Sequence, residues 1–249
     1  MYRYNNPALN KLSEHTYSNA ETATYGGIAL KTVYFAFLTM ISAVISFVFS
    51  MEFALANSQT FIILLIVAPL AAFICAMIAA FKPFTTPVTG SLYAVLQGLT
   101  IGFISLLFES SYGGVVFAAL ISTVTVLLIM LVLYSTGIIR VGAFFKKFMM
   151  SALIGIVVSQ LLIFIIGLFS PSIYVMFYGN SNLAILISVI MVVFASLMIL
   201  FDLQRITEVV ENRLDKRYEW SAAFGLIITI IWLYMEFLKL FARIASRRR

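Results

Sequence analysis

The sequence predicts an all-α integral membrane protein with seven transmembrane helices. Of the 249 residues, 63% are hydrophobic and only 10% are charged. Soluble domains are about 45–50% apolar and about 25% charged, so the composition excludes a soluble globular protein. Seven apolar stretches long enough to cross a bilayer follow one another along the chain. These spans are residues 30–51, 61–81, 88–108, 113–139, 149–169, 183–203 and 222–241.

The segments outside the spans are short. Residues 1–29 are polar and predict a cytoplasmic N-terminal segment, without the apolar core of a cleavable signal peptide. Residues 30–245 form the predicted transmembrane domain, and residues 246–249 form a basic tail. The chain has no stretch that could form a sizeable soluble domain.

The positive charges indicate the orientation of the helices. The net charge is +6, but the basic residues lie mainly in the loops, so they indicate topology and not a nucleic-acid partner. Eleven of the 16 lysines and arginines fall on the side of the N-terminus, and the three loops on the opposite side contain none. Cytoplasmic loops are enriched in basic residues, which predicts a cytoplasmic N-terminus. The basic C-terminal tail disagrees with this pattern if the seventh span crosses completely.

Three features of the spans predict packing or movement. Pro69 lies in the middle of span two and is expected to kink it, because proline removes a backbone donor. A kinked span could act as a moving gate or be static. Lys82 follows span two and marks its cytoplasmic end. Gly98 and Gly102 form a GxxxG pattern, which is typical of closely packed helices.

Two acidic residues are the candidates for chemistry, Asp202 late in span six and Glu236 in span seven. Ionisable side chains inside apolar helices are costly and suggest function by default. Residue 219 lies midway between them, and residues 205–214 continue the helical pattern beyond span six, so we predict a long sixth helix. Counting about 1.5 Å per residue from Arg217, the two carboxyl groups differ in height by roughly 6 Å and are expected to meet.

A carboxylate pair in a low-dielectric site would share a proton and act as a pH sensor. Calcium needs six to eight oxygen ligands, so Asp202 and Glu236 would bind it only weakly. In the alternative interpretation, each carboxylate has a separate structural partner. Asp202 would then pair with Arg205, and Glu236 with Lys239.

Three stretches of the sequence resemble the Bax inhibitor-1 family, most closely its bacterial members. They are Phe201-Asp202 in span six, residues 233–241 (LYMEFLKLF) in span seven and residues 96–102 (LQGLTIG) in span three. The resemblance covers roughly residues 88–241. It implies that the last helix is central and wrapped by the other six. The short loops and polar N-terminus resemble the family members of the bacterial inner membrane.

The resemblance also implies a pH-sensitive calcium leak governed by two intramembrane aspartates. These match Asp202 and Glu236, where glutamate replaces the second aspartate. In the family, a basic residue of span two engages the span-six carboxylate in the open form. The corresponding residue here would be Lys82, which with Pro69 forms the predicted gate.

Two functions therefore stay open. The first is a pH-sensitive cation leak channel, with calcium as the permeating or weakly bound ion and the lipid bilayer, calcium and protons as partners. The second is a regulatory protein that modulates a membrane protease or a stress response by contact with a membrane-protein partner, without conducting ions. An intramembrane aspartyl protease is disfavoured, because no Gly-x-Gly precedes Asp202. We expect no enzymatic activity and no cofactor.

Overall fold

A computed structural model describes residues 21–56, 58–170, 172, 177, 179 and 181–247. Seven helices within these residues are long and apolar enough to cross a membrane, which confirms the predicted fold class. They are α1 (Tyr25–Ala56), α2 (Ser58–Phe81), α3 (Thr86–Ser111), α4 (Val115–Ser135), α5 (Ala143–Phe169), α6 (Asn182–Glu211) and α7 (Tyr218–Ser246). The rest of the predicted N-terminal segment, residues 1–20, and tail residues 248–249 lie outside the described residues.

Several helix ends follow from local backbone chemistry. Lys82 has an extended φ of −126° because the following proline disfavours the helical conformation, so α2 ends before it. A short 3-10 turn, Pro83–Thr85, then leads into α3. At the start of α4, the Glu109 carboxylate accepts hydrogen bonds from the backbone N–H groups of Gly114 (2.6 Å) and Val116 (3.1 Å). A negative charge at this end complements the helix dipole.

Helix α6 continues beyond the apolar span, as the sequence predicts. It begins after Ser181, whose hydroxyl accepts a hydrogen bond from the Ala184 N–H at 3.0 Å, and ends at Glu211. Serine at this position satisfies one of the unpaired N–H groups at a helix start. The extension carries α6 about two and a half turns past Asp202.

Helix α7 has the largest buried share of the seven spans. It packs against α1, α3, α4 and α6, while α2 packs against α1 and α3, and α5 packs against α6. The implied arrangement, with all six other helices around the last one, is therefore not confirmed. We call the end of the bundle at which α1, α3, α5 and α7 begin the N-terminal face, and the opposite end the C-terminal face.

The GxxxG pattern of α3 packs against α1, as expected. A Cβ atom at Gly102 would lie 2.3 Å from the backbone oxygen of Ala43, and one at Gly98 would lie 2.5 Å from that of Thr39. The Ser42 hydroxyl also donates a hydrogen bond to the Val95 carbonyl at 2.7 Å. Close backbone approach and polar links of this kind join helices inside a membrane.

Residues 21–24 form a strap across the loop between α6 and α7. Thr22 forms an isolated antiparallel bridge with Asp215, and the Ala23 N–H donates to the Leu214 carbonyl at 2.8 Å. The exposed Lys216 amine donates to a Glu21 carboxylate oxygen at 2.6 Å, and this hydrogen bond raises the pKa of Lys216. The strap ties the start of α1 to the start of α7.

Candidate functional site

Asp202 lies at the contact between α6 and α7 and is only 6% exposed. Its Oδ2 atom accepts a hydrogen bond of 2.5 Å from the hydroxyl of Thr229 on α7. Gly225 lies one turn before Thr229, and a Cβ there would be 3.5 Å from Asp202 Oδ1. A Cβ at Gly225 would thus be in ordinary van der Waals contact with the carboxylate, so Asp202 packs directly against this position of α7.

Arg205 extends this polar contact towards the N-terminal face. Its Nη2 donates to the Ser221 hydroxyl at 3.4 Å, and its Nη1 lies 3.7 Å from the position of a Cβ on Gly225. Asp202 and Arg205 do not form one of the ion pairs found within the described part of the chain. We call Asp202, Arg205, Ser221, Gly225 and Thr229 the Asp202 niche.

Glu236 lies in a separate environment on α7 and is 4% exposed. Its Oε1 atom accepts hydrogen bonds from the Lys239 amine (2.6 Å) and from Nε1 of Trp232 (3.0 Å). Both partners belong to α7, at three and four residues from Glu236, which are neighbouring positions on one helix face. The structure thus pairs Glu236 with Lys239, as in the alternative interpretation.

The expected contact between Asp202 and Glu236 is wrong. Thr229, the partner of Asp202, lies seven residues before Glu236, about 10 Å along the α7 axis. The expected contact requires residues 212–217 to rise as a helix, but α6 ends at Glu211 and α7 begins at Tyr218. Measured from these helix ends, Asp202 lies about 13 Å from the loop and Glu236 about 27 Å.

Separation of the two carboxylates also removes the expected shared calcium site. Calcium prefers six to eight oxygen ligands, and each carboxylate supplies at most two. Within residues 21–247, apart from the gaps given above, no group of three or more His, Cys, Asp or Glu side chains comes together.

A cavity of about 400 Å³ lies between α5, α6 and α7 in the half of the bundle nearer the C-terminal face. Glu236, Lys239 and Arg243 of α7 line one wall, and Gly155 and Ile156 of α5 line another. Arg243 Nη1 donates to the Ala184 carbonyl of α6 at 2.7 Å and to the Ser188 hydroxyl. The cavity therefore combines charged and apolar walls.

A model of the family described as Bax inhibitor 1 like matches residues 6–246. The chain belongs to this family. Among curated proteins, the comparison found no match. The family match extends the resemblance from residues 88–241 to nearly the whole chain.

In this Bax inhibitor 1 like protein, the groups around the span-six carboxylate differ from those expected. A threonine of α7, and not an acid, is hydrogen-bonded to Asp202. Thr229 was not among the predicted site residues, although it is a lone polar residue in an apolar run, eleven residues after the start of α7. Counting from the helix ends would have placed it about 3 Å from the height of Asp202.

No ion pair or side-chain hydrogen bond found among the described residues links either residue of the predicted gate to the Asp202 niche. Lys82 is exposed between α2 and the 3-10 turn, and it is in none of the ion pairs found among the described residues. Pro69 lies inside a continuous α2. The gating roles of Lys82 and Pro69 stay predictions.

Replacing Thr229 by valine tests the hydrogen bond to Asp202. Valine has a similar shape but no hydroxyl, so Asp202 would lose its donor, and we expect the free energy of unfolding to fall by about 1–3 kcal/mol. Serine at the same position keeps the hydroxyl and serves as the matched control. The measurement is detergent unfolding of the purified protein. Equal stability of the two variants would show that this hydrogen bond contributes nothing.

Proposed function

We propose that this protein is a proton-regulated cation leak, with calcium as the ion that it passes. The observation that carries the proposal is the hydrogen bond of Thr229 to Asp202, a buried carboxylate inside the contact between two membrane-spanning helices. Ionisable groups in such positions typically serve ion or proton pathways. Membership of the Bax inhibitor 1 like family supports the same assignment.

Protonation of Asp202 would change the contact between α6 and α7. An ionised carboxylate only accepts hydrogen bonds, whereas a protonated carboxyl can also donate one. The Thr229 hydroxyl can both donate and accept a hydrogen bond, so whether it donates to Asp202 depends on whether Asp202 is protonated. Gain or loss of this proton therefore favours a different packing of the two helices, as in other charge-driven switches.

Glu236 would provide a second acidic position at a different depth of the membrane. It lies about 10 Å nearer the C-terminal face than Thr229. Successive weak sites suit conduction, because an ion must both bind and leave. The Lys239 amine pairs with Glu236 and must move before a cation can approach this carboxylate.

The proposal includes a cytoplasmic N-terminus and the bacterial inner membrane as the location. The loop between α6 and α7 carries Arg213, Lys216 and Arg217 at the N-terminal face. In contrast, residues 112–114 between α3 and α4 contain no basic residue at the C-terminal face. This asymmetry supports placing the N-terminal face in the cytoplasm.

Calcium flux into dye-loaded liposomes that contain only the purified protein tests the function. We expect flux to change between mildly acidic and mildly alkaline pH, and Asp202→Asn to bring the ratio of the two fluxes close to one. Glu236→Gln is the matched control, because it removes a second buried carboxylate outside the Asp202 niche. This variant should alter the amount of flux and keep its pH dependence.

Two results would contradict the proposal. No flux from well-folded protein at either pH would favour the regulatory interaction protein, which acts by contact with a membrane partner. Flux with unchanged pH dependence in Asp202→Asn would remove Asp202 from the regulation. Circular dichroism and size-exclusion profiles that match the wild type establish that each variant is folded.

A further inference from the structure

The cavity between α5, α6 and α7 has a charged wall on α7 and a mainly apolar wall on α5. Lys239 and Arg243 of α7 contribute two positive charges, and Glu236 is the one acid among the described residues that line it. The net formal charge of these lining side chains is therefore +1. Across the cavity, α5 contributes the apolar side chains of Ala152, Ile156 and Ile163 together with the polar side chains of Ser159 and Gln160. An amphiphile with a negative end matches both walls.

The depth of the charged wall matches that of lipid head groups. Helix α7 has 29 residues and is about 43 Å long, whereas the hydrocarbon core of a bilayer is about 30 Å thick. Both ends of α7 therefore extend into the interfaces. Arg243 lies three residues before the last residue, Ser246, and Lys239 lies about one turn deeper.

Helix α5 packs loosely alongside the cavity. Met149 is the one buried residue of α5, and it packs with Phe194 and Met198 of α6. The later part of α5 has no such buried cluster among the described residues, and Ile154 and Leu161 are 60% and 58% exposed. A Cβ atom added at Gly155 would meet nothing within 4 Å. A gap of this kind within a bilayer is accessible to acyl chains.

We propose that this cavity binds one anionic phospholipid of the leaflet at the C-terminal face. Its phosphate lies against Lys239 and Arg243, and an acyl chain lies against α5 beside Gly155. Arg243 is already fixed to α6 by its bonds to Ala184 and Ser188, so its guanidinium is oriented at the cavity wall. The bound lipid bridges α5 to α6 and α7. The inference does not depend on ion conduction.

Native mass spectrometry of the full chain in detergent tests the site. The protein is incubated with phosphatidylglycerol or, in parallel, with zwitterionic phosphatidylcholine, and retained lipid is counted. We expect one phosphatidylglycerol per chain and no comparable retention of phosphatidylcholine. Arg243→Gln should lower the retention of phosphatidylglycerol about five-fold, the contribution of one basic residue near anionic lipid. Gly155→Leu should abolish it by filling the cavity.

Two control variants and one competitor make the test specific. Arg140→Gln removes an exposed charge from the loop between α4 and α5, and Val157→Leu adds volume at an exposed position of α5. Both should retain lipid as the wild type does. Equal retention of the two lipids, equal losses in the control variants, or displacement by excess inorganic phosphate would each overturn the proposal. Gly155→Leu keeps the test decisive if Arg243→Gln fails to fold.

Discussion

Replacing Gly102 by alanine is expected to separate α1 from α3 and to lower the free energy of unfolding by about 3 kcal/mol, at the upper end of overpacking costs. The new Cβ would lie 2.3 Å from the Ala43 carbonyl and 2.9 Å from the Phe47 backbone nitrogen. Backbone atoms of a helix cannot move aside as a flexible side chain can. The whole of α1 must therefore shift, with loss of the contacts along its seam with α3.

The measurement is unfolding of the purified protein in a denaturing-detergent titration, with Gly155→Ala as the matched control. A Cβ at Gly155 meets no atom within 4 Å, and alanine favours a helix over glycine by about 1 kcal/mol. The control should therefore be as stable as the wild type or more stable. If both variants unfold at the same detergent fraction, the close approach at Gly102 does not contribute to stability.

The fold could be predicted from the sequence because a bilayer restricts the choice of structure. Backbone groups in lipid must be satisfied within the chain, so seven apolar runs of spanning length lead to seven helices. The amphipathic pattern of residues 205–214 likewise predicted the extension of α6, which ends at Glu211. The packing partners were harder to predict. Helix α5 has apolar side chains on every side and no single apolar stripe, so its sequence does not show which face meets α6.

The candidate site was predicted in part. Asp202 is buried at the α6–α7 contact. Its partner on α7 can be predicted only if the ends of the loop between these helices are placed to within one helical turn. Because the six residues 212–217 between the helices are not helical, the α7 residue at the height of Asp202 is Thr229 and not Glu236. The strap formed by residues 21–24 had no periodic pattern, and its contacts depend on a loop that lies about 190 residues later.

The strap also covers the most deeply buried charge pair described in the protein. Glu219, at the start of α7, is fully buried and pairs with Lys31 of α1. It also accepts hydrogen bonds from the backbone N–H (2.9 Å) and the hydroxyl (3.1 Å) of Thr24. Gly27 leaves the space that this carboxylate occupies, since a Cβ there would lie 2.3 Å from its oxygens. The pair thus joins α1, α7 and the strap.

Removing one partner of this pair should cost far more than removing an exposed pair. In Lys31→Met, the carboxylate of Glu219 stays buried without its cation, and we expect a loss of about 3–5 kcal/mol in the free energy of unfolding. Lys146→Met is the matched control, because it breaks the ion pair of Lys146 with Glu208, whose side chains are 33% and 43% exposed. Exposed ion pairs contribute only about 0–1 kcal/mol to stability. The same detergent titration measures both.

A double variant separates the cost of an unpaired charge from the value of the pair itself. Lys31→Met combined with Glu219→Gln removes both charges, so it should be more stable than Lys31→Met alone. Additive losses would mean that the two side chains act independently and that the buried pair is not a unit. Recovery of stability in the double variant would instead show that the strap and its helices depend on charge balance at Glu219.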